Sequence, residues 1–155
     1  MPQSAPQSLH RLYYRSRPTS AAAADLAHVV EQIIETSIRQ NRAVGLTGLL
    51  IVVKNQFVQV LDGDVNEVRT TYARISLDRR HQDPSIIGQG PVSRRLFGDW
   101  HMCASTLAAS DRAILEVLDG KEDFNPQALT AAGAERLMTA VAAIQRRAAS
   151  EVLIA

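Results

Sequence analysis

The chain of 155 residues has one cysteine, one tryptophan and only 5% aromatic residues, and neither sign of charge is in real excess. Each scarcity excludes something. A lone Cys103 closes no intrachain disulfide and builds no cysteine-only metal site, and it fits a reducing compartment. Seventeen Lys and Arg against 16 Asp and Glu leave a formal charge of +1. That balance gives no general electrostatic reason to expect nucleic acid or an anionic membrane as partner. Apolar runs such as Leu49 to Val53 fall far short of the ~20 residues that a spanning helix needs. The stretch Met1 to Ser8 is polar, carries two prolines and does not read as a signal peptide. There is no Gly-x-Gly-x-x-Gly, no P-loop and no His-Glu-x-x-His. The histidines at 10, 28, 81 and 101 show no metal-ligand spacing, and Asp119 and Glu122 lack a counterpart for an acid/base dyad. Nothing reads as a catalytic site. With 46% apolar and 21% charged residues, the expectation is one soluble, cytoplasmic domain with a real core.

What is present is a clear order of periodic segments. Leu9 to Ser16 reads as a strand closed by Arg17, Pro18, Thr19 and Ser20. Leu26, Val29, Val30, Ile33, Ile34 and Ile38 follow helical spacing, with Asn41 and Gly45 suited to the helix end. Leu46 to Val53 is nearly all apolar, as expected of a strand covered on both faces. Lys54-Asn55 predicts a tight turn, and Gln56 to Asp62 a returning strand that Gly63 breaks. Asp64 with Glu67 forms a capping-box signature for a second helix, whose stripe is Val65, Val68, Tyr72 and Ile75. The polar run Asp78 to Pro84 ends it, and Ser85 to Gly88 and Trp100 to Leu107 read as further strands. The order β-α-β-β-α-β-β predicts a ferredoxin-like α+β sheet with an extra strand and two helices on one face. The other face needs a cover. Helices predicted from Asp111 to Leu118 and from Asn125-Pro126 onward supply it, the latter with a stripe of Leu137, Val141 and Ile144. Gly133 marks a possible split in that helix.

Three polar residues interrupt apolar faces. Ser37 and Asn41 extend the helix face that begins at Ile33: either they hold a planar heterocycle by its carbonyls, or they cap and end the helix. Gln59 shares a strand side with Phe57 and Leu61, a side that is either buried, with partners for the amide, or partly wet. Tyr14 and Tyr13 must face opposite ways, and a buried Tyr14 hydroxyl has Gln59 or water as partner. Arg74 and Asp78 stand four apart on the second helix as a candidate surface ion pair. The Arg79-Arg80-His81 cluster is either a solvated loop or a phosphate contact.

Five motifs in order carry a resemblance: Arg11-Leu12-Tyr13-Tyr14-Arg15-Ser16, Asn41 followed by Gly45-Leu46-Thr47-Gly48-Leu49-Leu50, Phe57-Val58-Gln59-Val60-Leu61-Asp62-Gly63, Asp78-Arg79-Arg80-His81, and Phe97-Gly98-Asp99-Trp100-His101-Met102. Together they resemble the BLUF family of blue-light sensors that use FAD, over about residues 9 to 104. The resemblance implies that Tyr14 is the photoactive tyrosine, that Gln59 lies between it and the flavin, and that Asn41 holds a flavin carbonyl. It places Ile33, Ser37, Phe57 and Ile75 along the isoalloxazine ring, and Arg74, Asp78, Arg80 and His81 at the pyrimidine edge and ribityl-phosphate end. Trp100 and Met102 fall on the last strand, whose register near Gln59 is linked with signalling. Two departures stand out: Gln40 replaces the usual Asn or His, and Arg17 to Ala24 is a few residues longer than usual.

The implied organisation is a tail at 1–8, a flavin-binding domain at 9–104 and a helical extension at 105–155. The implied function is a photochemical switch without turnover, of the short type. It would signal to a separate protein through the last strand and C-terminal helices, or by a change of homo-oligomeric state. Two rival readings remain: a cofactor-free ferredoxin-like regulatory domain, and a small flavin reductase, for which no nicotinamide motif is present.

Overall fold

The computed structural model describes residues 9–53, 56–96, 103–107 and 129–154, with the side-chain environments of 9–53, 56–96 and 129–143. In chain order the elements are β1 (Leu9–Pro18), α1 (Ser20–Ala23), α2 (Leu26–Val44), β2 (Thr47–Val53), β3 (Gln56–Asp64), α3 (Val65–Ser76), β4 (His81–Val92), β5 (Cys103–Leu107) and α4 (Ala131–Ile154). The strands form one sheet in the order β4-β1-β3-β2-β5. Its first four strands are antiparallel, and β5 runs parallel to β2 along the far edge. This is the expected ferredoxin-like arrangement with an added strand.

Alternation along the strands divides the core in two. Leu12, Tyr14, Leu50, Val52, Phe57 and Leu61 face α2 and α3, where Ile33, Ile34, Ile38, Val68 and Ile75 meet them. Tyr13, Leu49, Ile51, Val53, Val58 and Val60 face the other way, against Ala134, Leu137, Met138, Val141 and Ala142 of α4. Every residue of β2 is buried, as its unbroken apolar run predicts. Leu137 and Val141 are therefore sheet-facing core. The side chain of Ile144, the turn at Lys54-Asn55 and the helix predicted from Asp111 to Leu118 lie outside the described residues, as does the Asn125-Pro126 start.

The helix ends follow their local chemistry. Gly45 adopts a left-handed φ of 72° after α2, and the backbone N–H of Leu46 donates to the Asn41 carbonyl at 2.9 Å. The Asp64 carboxylate accepts from the N–H groups of Asn66 and Glu67 at 3.0 and 3.3 Å, as the capping signature predicts.

Four expectations need correction. The segment after β1 is not simply a loop: Thr19 caps the short α1, whose Ala22 is buried. Gly63 does not break β3, which pairs with β1 as far as Leu9 opposite Asp64. Its missing side chain instead admits Leu46, whose Cδ2 would lie 2.3 Å from a Cβ there. The strand predicted at Ser85 to Gly88 runs from His81 to Val92. Pro84 and Pro91 are tolerated because β4 is an edge strand bonded only to β1, so a missing N–H breaks no central ladder. Finally, Gly133 does not split α4; its N–H donates to Thr130 Oγ1 at 3.1 Å in the first turn, where no intrahelical acceptor exists.

Candidate functional site

Between the sheet and the α2–α3 layer lies a cavity of about 140 Å³, opening into a mouth that brings the space free of protein atoms to about 670 Å³. Ile33, Leu50, Phe57 and Ile75 give it apolar walls. Thr36, Ser37, Gln40, Tyr14 and Gln59 supply hydroxyls and amides, and Arg74, Asp78, Arg80 and His81 supply charge or titratable groups.

The centre of the site is one rung of the β1–β3 ladder. Tyr14 and Gln59 are register partners, both almost fully buried, and the Tyr14 hydroxyl donates to Gln59 Oε1. The sequence reading left burial of Gln59 open; the structure places it inside. Burial holds the Tyr14 phenol well above the usual tyrosine range, with smaller contributions from Tyr72 and Asp78. Tyr14 also packs edge-on to Tyr72, with ring centroids 5.3 Å apart, and to His81 at 6.4 Å.

His81 is oriented from two sides. Its Nε2 lies 2.5 Å from the Ile75 carbonyl and its Nδ1 lies 2.7 Å from Ser16 Oγ. A carbonyl only accepts, so Nε2 carries the proton; in the neutral ring Nδ1 then accepts from the Ser16 hydroxyl. The Arg80 guanidinium donates to both Asp78 oxygens, through Nε at 2.9 Å to Oδ1 and Nη2 at 2.5 Å to Oδ2. That hydrogen bonding holds the Asp78 carboxyl below its ordinary range despite partial burial. The candidate pair Arg74–Asp78 does not form. Helix α3 ends at Ser76, so Asp78 has left the helical path and turns to Arg80, and Arg74 lines the cavity without an ion pair among the described residues.

All but three of the expected site residues line this cavity. Asn41 does not: it is 2% exposed in the last turn of α2, while its neighbour Gln40 takes a place in the lining. Trp100 and Met102 lie outside the described residues. Thr36, Gln40 and Leu50 also line the cavity; of these the sequence marks only Gln40, as a departure from the family pattern. Thr36 and Gln40 stand at i+3 and i+7 from Ile33, a helical spacing that was there to be used. Leu50 is the β2 partner of Gln59 in a register that pairs Val53 with Gln56, and register is a property of the paired strands rather than of local spacing.

These residues fit a flavin. Apolar walls suit a planar ring system, hydroxyls and amides suit its carbonyl and nitrogen edges, and the cations suit a phosphate-bearing tail. Among the described residues no cluster is suited to a metal ion, and no helix is long and apolar enough to cross a membrane.

Comparison with known proteins points the same way. The chain is 34% identical over 95 residues to photoactivated adenylate cyclase subunit beta of Euglena gracilis, and 33% identical to that of Euglena longa. Each alignment covers 61% of this chain but 11% of the relative. The chain thus spans about a tenth of the length of the curated relatives it matches, and the cyclase activity in their names belongs to those longer proteins. Among solved structures it is similar to BlrB, a BLUF protein in its dark state, with TM-score 0.70 and 26% identity over 90% of this chain and 98% of that one. It shares its fold with BlsA in the photo-activated state, at TM-score 0.75 and 23% identity over 84% of this chain and 91% of that one. Residues 9–103 match the model of the family described as sensors of blue light using FAD, and the chain belongs to that family, BLUF.

Proposed function

We propose that this BLUF protein signals through a hydrogen-bond switch at Tyr14 and Gln59. The observation that carries the reading is the buried Tyr14 hydroxyl donating to the Gln59 amide on the wall of the cavity. Bound FAD supplies absorption of blue light and, when excited, a strong oxidant. With that oxidant bound, Tyr14 would serve as the reversible donor of an electron and its phenolic proton toward it, and would take both back on recombination. Burial favours this coupled movement, because a bare phenolate is disfavoured there. Gln59 is left in a changed arrangement, rotated or tautomerised. An amide has an acceptor at one end and donors at the other, so reversal rewrites its contacts without changing charge. Ile33, Phe57 and Ile75 pack the ring, Ser37 and Gln40 line the place of its polar edge, Asn41, buried next to Gln40 and outside the lining, is the family-implied holder of a flavin carbonyl, and Arg74, Asp78, Arg80 and His81 hold the tail.

The flavin-binding part comprises residues 9–104, and the extension at 105–155 carries the output. The burial of α4 on the face opposite the cavity supports that division. The partner is a separate signalling protein or a further copy of this chain, reached through the last strand, the Trp100 to Met102 stretch that precedes it in sequence, and the C-terminal helices.

The test is the visible spectrum of the FAD-loaded protein in the dark, under blue light, and again in the dark. A small, reversible red shift is expected, absent in Tyr14→Phe and Gln59→Leu although both still bind flavin. A normal shift in either variant refutes the mechanism.

A further inference from the structure

A second side-chain pair joins β1 to β3. Three residues back along β1 from Tyr14, Arg11 is the register partner of Asp62, just as Tyr14 is of Gln59. An odd number of steps along a strand reverses the face, so this pair lies on the α4 side of the sheet.

Its hydrogen bonds reach unusually far. The Asp62 side chain is 0% exposed and accepts from Arg11 Nε at 2.7 Å, Arg11 Nη2 at 3.0 Å and the Leu96 backbone N–H at 2.8 Å. Arg11 Nη2 also donates to the Arg94 carbonyl at 3.1 Å. Arg95 Nη1 donates to the Asp62 carbonyl and to Thr47 Oγ1, each at 3.2 Å. On the remaining side, Arg11 Nη1 lies 3.9 Å from Glu135 Oε1 of α4. One ion pair thus ties β1 and β3 to the start of β2, to the chain as it leaves β4, and to α4.

A buried carboxylate persists only while its partners stay in place, and the guanidinium fork fixes both its spacing and its plane. The offset of β1 against β3 and the position of Leu96 are therefore coupled. We propose that Arg11 and Asp62 are positioning residues that transmit a change at the Tyr14–Gln59 rung through the sheet to Leu96 and to the Glu135 end of α4. This rests on the photoreceptor reading and gives it a route to the opposite face.

The experiment is amide hydrogen exchange on the full FAD-loaded chain, in the dark and under steady blue light, with the absorption shift recorded on the same samples. In the wild type, exchange at Leu96 and in the first turns of α4 should change with light by about fivefold or more, the lower end of typical coupling between sites. Asp62→Asn keeps the side chain's size but removes its charge and one acceptor oxygen. The absorption shift should persist in it while the light-dependent exchange at those amides disappears. Arg11→Lys keeps the charge, loses the fork, and serves where Asp62→Asn does not fold; it should shrink the same difference. A wild type with a normal absorption shift but no light-dependent exchange at Leu96 overturns the proposal. So does a folded variant that keeps the full difference. A wild type without any absorption shift fails earlier, refuting the photoreceptor reading and this inference with it, and the spectrum distinguishes the two failures.

Discussion

Replacing Tyr14 by Phe removes one oxygen from a buried position on the cavity wall and leaves the ring edge-on to Tyr72 at 5.3 Å. Shape is conserved, so the loss comes from the hydrogen bond. Gln59 Oε1 loses its Tyr14 donor in a site shielded from water, which costs ~1–3 kcal/mol. Gln59→Leu does the converse, stranding the Tyr14 hydroxyl at similar cost. With both replaced, two apolar groups face each other and neither is left with half a bond, a change that can be nearly neutral. The double variant should therefore be more stable than the sum of the single losses predicts, by ~2–3 kcal/mol, the low end of that sum and within the range found for residues in contact. Other contacts of either residue cancel in this cycle. Urea unfolding in the dark measures it, at a fixed excess of FAD because bound ligand shifts apparent stability by mass action. An unchanged denaturant slope would verify that the compared states are the same. Additivity within about 0.5 kcal/mol would refute a direct Tyr14–Gln59 bond and the switch built on it.

Leu137 is fully buried between α4 and the sheet, so Leu137→Ala should cost ~2–5 kcal/mol in urea unfolding; a loss below about 0.5 kcal/mol would mean that α4 does not cover the sheet in solution. Burial pushes the Tyr13 hydroxyl up to about 12, against the opposing Arg11 guanidinium. The unfolded chain releases that proton first, near pH ~10. The stability from keeping Tyr13 neutral is thus complete below pH ~10 and is lost as pH rises toward 12. Tyr13→Phe should flatten this alkaline loss, and an unchanged slope of stability against pH between 10 and 12 would contradict it. Arg74 lines the cavity without an ion pair among the described residues. Arg74→Ala should weaken FAD binding about tenfold, the worth of a charge-assisted hydrogen bond of ~1.5 kcal/mol. Titration by flavin fluorescence checks it, and unchanged affinity would remove Arg74 from the site.

Much of this arrangement was legible in local pattern. Helical spacing marked the buried face of α2, Asp64 marked the start of α3, and Gly45 the end of α2, because capping and periodicity act within a few residues. Tyr14, Ser37 and Gln59 stood out as polar groups on apolar faces. The extent of β4 was hidden because an edge strand satisfies one neighbour only and tolerates Pro84, Gly88, Gly90 and Pro91. The partner of Asp78 was hidden for a similar reason: i, i+4 spacing predicts a contact only while the helix lasts, and α3 stops at Ser76. Arg11 and Asp62 stand in two of the motifs, but their pairing was hidden, since nothing local announces that a charge will be buried.

The amino-acid sequence by itself determined the order of strands and helices and which side chains share a face. Those properties follow from backbone geometry, in which side chains recur every two residues in a strand and about every 3.6 in a helix. Only the tertiary structure decided that Tyr14 meets Gln59 on one side of the sheet while Arg11 meets Asp62 on the other. Both meetings depend on the register of β1 against β3, strands separated by α2 and β2, and that register is set by packing two cores on opposite faces of one sheet at once.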